Sequence, residues 1–256
     1  MPLPLAGLLA LLVSLAAWRT ALLTREGALA ACAVGAAILG GQGWPGAAVL
    51  LAFFIPTSLV SRALPDATVR FDAKEGPRDG WQVAANGGAA ALAAVLLAHD
   101  PAGFEAAAAA LAAAAADTWA TSWGAGSHRP PRSILTGAPV PPGSSGGITW
   151  RGSAGGAGGS AVVAAVATAV TANPRLGLIT FLCGVGGMLL DSLLGAALQG
   201  RFVCPQCEQP TERRIHRCGS RTRPVGGLAW LGNDGVNLLA TSGAALAALL
   251  LGGRPA

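Results

Sequence analysis

A chain of 256 residues with 52% apolar side chains, 11% charged ones and a mean hydropathy of +0.54 has too little polar surface for a water-soluble fold. The net charge of +5 would suit nucleic acid only on a soluble basic face, which this sequence lacks, so no nucleic-acid partner is expected. The composition is that of an all-α polytopic membrane protein, and its 37 glycines and long alanine runs suit lipid, where small residues let helix backbones approach.

Eight apolar spans are read in chain order, at 3–18, 28–41, 46–62, 81–98, 103–124, 153–172, 176–199 and 235–252, forming a single integral membrane domain over 1–256. The first lacks the basic flank and small-residue cleavage site of a secretory signal and reads as mature helix. The second is short enough for a tilted or re-entrant element. The Gly/Ala-rich stretch GSAGGAGGSAVVAAVATAV lacks the polar residues of a flexible linker and reads as packed helix.

Cations set the orientation. With the N-terminus outside, long cytoplasmic loops at 19–27, 62–80, 125–152 and 200–234 hold all but Arg175 and Arg254 of the 17 lysines and arginines. This partition is a strong positive-inside pattern and supports an even number of spans. A multi-pass protein of a bacterial inner membrane is expected.

Three aspartates then require explanation: Asp117 in AAAADTWATSWG, Asp191 in GGMLLDSLLGAALQ and Asp234 in LGNDGVNLLA. An ionisable group at membrane depth costs about 2.5 to 3.5 kcal/mol on insertion scales and marks a functional site by default, although each could instead cap a helix or pair with an arginine. The topology puts all three in the cytoplasmic half, together with Asn237 and with Trp81, Gln82 and Asn86 of the fourth span. Carboxylates gathered at one depth are hard-cation ligands, so Mg²⁺ is the expected ion.

The loops facing this cluster carry phosphate-binding chemistry. In PRSILTGAPVPPGSSGGITWRG, Arg132 and the turn Ser144-Ser145-Gly146-Gly147 offer a cation, hydroxyls and flexible backbone amides to an anion. Lys74 and Arg78 can neutralise phosphate charge, or their loop can be a solvated, salt-bridged hairpin. In the 200–230 loop, Cys204-x-x-Cys207 and His216-x-Cys218 supply four soft ligands for Zn²⁺, with a reduced thiol cluster or a redox pair as the alternatives. Cys32 and Cys183 read as packing residues, and His99 and His128 as interfacial loop residues.

The succession KEGPRDGWQVAANGG, ADTWATSWG, RSILTGAPVPPGSSGG, LLDSLLGAALQ, CPQCEQPTERRIHRCG and WLGNDGVNLLAT resembles, from about residue 60 onward, the integral membrane family labelled domain of unknown function 92. That family includes transmembrane protein 19-like and chloroplast phytyl phosphate kinase-like members. The resemblance implies a prenyl monophosphate acceptor and a nucleoside triphosphate donor, by transfer of a phosphoryl group. The motif order is also distantly similar to membrane enzymes that use CTP, phosphatidate cytidylyltransferase and dolichol kinase. In that comparison Asp117, Ala120 and Gly124 match an Asp-x-x-Ala-x-x-x-Gly segment, Ser144 to Gly147 replace a Lys-Thr-x-Glu-Gly segment, and Asp191 and Asp234 fall in the third region. Ser122 stands where family members commonly have an acid, which implies a weaker or rearranged metal site.

The expected function is a membrane-embedded, CTP- or other NTP-dependent prenyl phosphate kinase. Asp117 and Asp191 would hold Mg²⁺, Asp234 and Asn237 would complete the shell or orient the acceptor, and Lys74, Arg78, Asn86, Arg132 and the Ser144–Gly147 turn would face phosphates. The alternatives are a CTP-dependent lipid phosphate cytidylyltransferase and a cation- or proton-coupled transporter. The transporter needs aspartates near the midplane with access from both faces. A weaker third reading is a scaffold whose basic Arg201–Arg223 loop binds anionic lipid or protein.

Overall fold

The computed structural model describes residues 1–64 and 76–252. Lys74 therefore lies outside the described residues. Within them the chain forms α1 (Leu3–Arg19), α2 (Arg25–Ala63), α3 (Gly80–Leu96), α4 (Pro101–Ala125), α5 (Trp150–Thr171), α6 (Pro174–Leu198) and α7 (Asn233–Gly252). The two long loops add β1 (Arg132–Ser133) paired with β2 (Gly147–Ile148), and a second sheet of β3 (Arg201–Val203), β4 (Pro210–Thr211) and β5 (Arg223–Gly226) in the order β4-β3-β5.

The helix starts are written locally. Thr24, Thr149 and Asn173 accept hydrogen bonds from the amides of Gly27, Gly152 and Leu176, and Asp79 forms a reciprocal capping box with Gln82. Asp100 accepts from Ala102 ahead of a helix that opens on Pro101, whose missing N–H costs nothing there.

Spans 28–41 and 46–62 both belong to α2, so among the described residues there are seven helices where eight spans are read from the sequence. The helix is not straight. Gly43 leaves helical geometry with φ 62°, ψ −149°, directly before Pro45. A continuous 39-residue helix would hold its ends about 58 Å apart. Instead Thr24 N–H donates to the Arg78 carbonyl while the Arg78 guanidinium donates to Ser58 and Ser61, so both ends of α2 meet one residue. The element doubles back at Gly43, and its tip rests on the α3–α4 connection through Gln42 Nε2 donating to Leu97 O at 2.9 Å.

The centre of the bundle is α4. Ala106 to Ala116 are at most 2% exposed, because α2, α3, α5, α6 and α7 all pack on this helix. Alanine all round lets five neighbours come close, and glycine brings α5 closer still. A Cβ on Gly152, Gly156 or Gly159 would stand 2.7, 2.9 and 2.8 Å from the carbonyl oxygens of Ala120, Ala116 and Ala115. The outer surface is inverted relative to a soluble protein: Leu29 is 73% exposed and Leu250 84%. Small residues inside and leucines outside are the arrangement lipid favours. Among the described residues α2, α5, α6 and α7 are long and apolar enough to cross a membrane.

Candidate functional site

Four helices meet in a small polar pocket lined by Asn86 of α3, Asp117 of α4, Asp191 of α6, and Asn237 and Thr241 of α7. Its apolar lining is Ala113, Ala114, Gly187 and Ala240. The construction follows helical periodicity. Ala113 and Asp117, and Gly187 and Asp191, are each four residues apart, so a small residue brings the backbones together and the acid one turn on points into the same cleft. A Cβ on Gly187 would meet the Ala244 methyl at 3.2 Å.

Hydrogen bonds fix part of this cleft. Thr241 Oγ1 donates to Ala85 O at 3.1 Å, tying α7 to α3, and Asn86 Nδ2 donates to Gln82 O at 2.9 Å. Asp191 Oδ2 and Asn237 Oδ1 are buried, with no hydrogen-bond donor among the described residues. Two acceptor oxygens facing one pocket with no donor between them suit a cation, and the oxygen-only donor set of Asp117, Asp191 and Asn237 fits Mg²⁺. Asp234 is not in the pocket lining. It lies in the first turn of α7, three residues before Asn237, about 4.5 Å nearer the loops along the helix.

The Ser144–Gly147 turn is brought to this site by contacts that its own sequence does not reveal. Gly146 adopts φ +75°, and a Cβ there would stand 2.7 Å from Ser192 O and 2.9 Å from Ala196 Cα, so the turn is seated on α6 next to Asp191. Ser144 N–H donates to Pro141 O and Gly147 N–H to Ser144 O. The Ser145 hydroxyl donates to Glu212, whose second carboxylate oxygen accepts from Gln199 Nε2 at 2.6 Å. Glu212 and Asp117 both add their charge to the surroundings of Asp191. Sequence reasoning missed Glu212 and Gln199. The one local signal was an acid set among the arginines of TERRIHR.

Arg132 is exposed in β1 and donates to Gly137 O at 2.8 Å within its own loop. Arg78 is half-buried at the start of α3. Among the described residues its guanidinium hydrogen-bonds the Ser58 and Ser61 hydroxyls, and burial lowers its pKa from the ordinary arginine value. It also lines a second, much larger cavity between α1, α2 and α3, of ≈ 1020 Å³ including its open side. The walls are Leu9, Val13, Val34, Leu50, Phe53 and their neighbours, and Arg78, Gln82 and Asn86 are polar lining residues. Asn86 lines both cavities and is a wall they share.

The 201–226 loop is a β-ribbon carrying Cys204, Cys207, His216 and Cys218, whose ligand atoms all lie within 4.8 Å of one another. Cys204 and Cys218 Sγ are 3.5 Å apart, and His216 Nδ1 is 3.2 Å from Cys218 Sγ. Without metal, hydrogen bonding with Cys218 is the main cause that pushes the Cys207 thiol up to about 11, while the bond with His216 is the main cause that pulls Cys218 down to about 6. Cys32 and Cys183 are free thiols, the first partly and the second fully buried in helices. His99 adopts φ 63° in the α3–α4 connection, where its backbone N–H donates to Gly41 O, and His128 is exposed.

Comparison with known families adds to this geometry. The family model described as "Integral membrane protein DUF92" matches residues 8–245. The chain belongs to the DUF92 integral membrane family. The match begins within α1 and ends within α7, taking in the five helices between them and both loops, so the fold described here is that of a multi-pass DUF92 membrane protein. The chain is also similar to "Protein PGR" of Arabidopsis thaliana, with 28% identity over 224 residues, covering 75% of this chain and 76% of the relative. No solved structure matches.

Proposed function

We propose that this DUF92 protein is a membrane-embedded transferase that moves a phosphoryl group from a nucleoside triphosphate, CTP or another, to a prenyl monophosphate. The observation that carries the reading is the position of Asn86, which lines two cavities of opposite character. On one side lies a pocket whose carboxylates and donor-less oxygens suit a divalent cation, and on the other an apolar cavity with Arg78 among its lining residues. An isoprenoid chain fits the apolar walls, and its phosphate fits the polar residues. The family resemblance of the sequence motifs supports the same substrate class.

Phosphoryl transfer asks a protein mainly for positioning and charge neutralisation. Arg78 and Gln82 would hold the acceptor phosphate, and Asn86 would orient it toward Asp117 and Asp191. The Ser144–Gly147 turn would place backbone amides beside the donor phosphates, with Asn237 and Asp234 at the α7 side. Mg²⁺ held by Asp117, Asp191 and Asn237 would neutralise charge on the transferred group. An acceptor phosphate oxygen forms a bond to the γ-phosphorus as the bond to the β-bridging oxygen breaks, giving prenyl diphosphate and nucleoside diphosphate. The acceptor is already anionic, so no general base is required.

Eight membrane crossings with the termini outside are part of this reading. They follow if α1, α3 and α4 cross and α2 crosses twice by doubling back at Gly43; the 17 residues of α1 and α3 meet the lower limit for a span. A bacterial inner membrane is the setting proposed for it.

The test is to incubate detergent-purified protein with Mg²⁺, each nucleoside triphosphate and a panel of prenyl monophosphates, and to identify the lipid product by mass. A prenyl diphosphate is expected. A cytidylylated lipid with release of pyrophosphate would replace the kinase by a cytidylyltransferase. No lipid product, with cation flux in proteoliposomes that depends on Asp117, would overturn both in favour of a transporter.

A further inference from the structure

We propose that the 201–226 ribbon binds one structural Zn²⁺ through Cys204, Cys207, His216 and Cys218, and that this ion holds Glu212 in place to clamp the Ser144–Gly147 turn on α6. Four atoms bound tetrahedrally at about 2.3 Å lie about 3.8 Å from one another. The observed 3.5 Å between Cys204 and Cys218 and 3.2 Å between His216 and Cys218, with all four atoms within 4.8 Å of one another, are close to that edge, so small side-chain adjustments suffice to seat one ion. Three thiols and an imidazole form a soft donor set that selects Zn²⁺ and is unsuited to Mg²⁺.

Two tight turns deliver the ligands in pairs. In the first, Cys204 N–H donates to Gln209 O and Glu208 N–H to Cys204 O, which closes Cys204 and Cys207 on one side of a hairpin between β3 and β4. In the second, His216 N–H donates to Ser220 O and Gly219 N–H to His216 O, with Ile215 bridged to Arg221. The ribbon itself has little to hold it. Phe202, Cys204 and Thr211 are its buried side chains, far less than a small fold needs without a metal or disulfide.

The consequence for the pocket follows from where β4 ends. Pro210–Thr211 lead directly into Glu212, which accepts from Ser145 on one oxygen and from Gln199 on the other. Glu212 thus joins the ribbon, the turn and the end of α6. Loss of the ion would free the hairpin that presents Glu212, and the turn would lose its tie to the ribbon while keeping its seat at Gly146 and its pairing with β1. Zinc binding stands independently of the phosphoryl-transfer reading, because it is measured without substrate.

The experiment uses the full chain purified in detergent from zinc-supplemented cells. Elemental analysis should find about one zinc per chain, and replacement by Co²⁺ should give thiolate-to-metal charge transfer and tetrahedral ligand-field bands. Cys207→Ser and Cys218→Ser should lose the metal, while Cys183→Ser keeps it. Zinc no higher than in Cys207→Ser, absence of the Co²⁺ bands in the unmodified chain, or thiols trapped as a disulfide would overturn the site. For the clamp, chelation should speed hydrogen exchange at Ser144 and Gly147 by about tenfold or more, the effect of losing a hydrogen bond to a charged group. Glu212→Ala should do the same with zinc retained. Unchanged exchange at these amides after chelation would overturn the coupling.

Discussion

Replacing Gly146 by alanine tests whether the 144–147 turn is fastened to α6, and Gly137 in the same loop supplies the control. Both glycines have left-handed backbones, φ +75° and +69°, so alanine costs about 1 to 2 kcal/mol at either position. Their surroundings differ. A Cβ at Gly137 has nothing within 4 Å, whereas at Gly146 it would stand 2.7 Å from Ser192 O and 2.9 Å from Ala196 Cα. Backbone of a packed helix does not yield cheaply, and overpacking adds about 1 to 3 kcal/mol. The turn escapes that cost only by lifting off, which breaks the hydrogen bond from Ser145 to Glu212, itself worth about 1.5 to 3 kcal/mol. The extra cost at Gly146 is therefore about 2 kcal/mol by either route, or about thirtyfold in the fraction of turn undocked. Hydrogen exchange at Gly147, whose N–H donates to Ser144 O at 3.0 Å, reads this directly. Gly146→Ala should speed that exchange about thirtyfold more than Gly137→Ala and lower turnover in proportion. Equal effects of the two variants would refute the seating of the turn on α6.

Asp117→Asn keeps size and packing while removing the charge that suits a cation, so the protein should fold with unchanged or higher thermal stability and lose activity by about 100- to 1000-fold. Near-normal turnover by that variant would remove Asp117 from the mechanism, and a loss of yield with activity retained would make it structural. Gly156→Ala forces a methyl to within 2.9 Å of Ala116 O between α4 and α5. It should lower the melting temperature by about 3 to 10 °C, from about 1 to 3 kcal/mol of overpacking. Gly186→Ala, with nothing within 4 Å of the new methyl, should be neutral or slightly stabilising. Single cysteines at Trp44, beside the α2 turn, and at Ser144 should label from opposite faces of the membrane. Labelling of both from one face would contradict the doubling back of α2 across the bilayer.

Much of this molecule is written locally in its sequence. Apolar length and the cation partition require no tertiary contact, because transfer into lipid and attraction to one face act on each segment separately. The caps at Thr24, Asp79, Asp100, Thr149 and Asn173 are likewise short-range, and Cys204, Cys207, His216 and Cys218 stand close in sequence, where the ribbon gathers their side-chain donor atoms within 4.8 Å of one another. The tertiary structure decided which polar groups share a space. In lipid both the buried and the exposed faces of a helix are apolar, so periodicity does not say which way Asp117, Asp191 and Asp234 point. Packing on the small residues of α4, α6 and α7 turns the first two into one pocket with Asn86 and Asn237, and leaves Asp234 outside its lining, nearer the loops. Glu212 reaches Ser145 from 67 positions away along the chain, a contact that only the folding of the ribbon onto α6 creates.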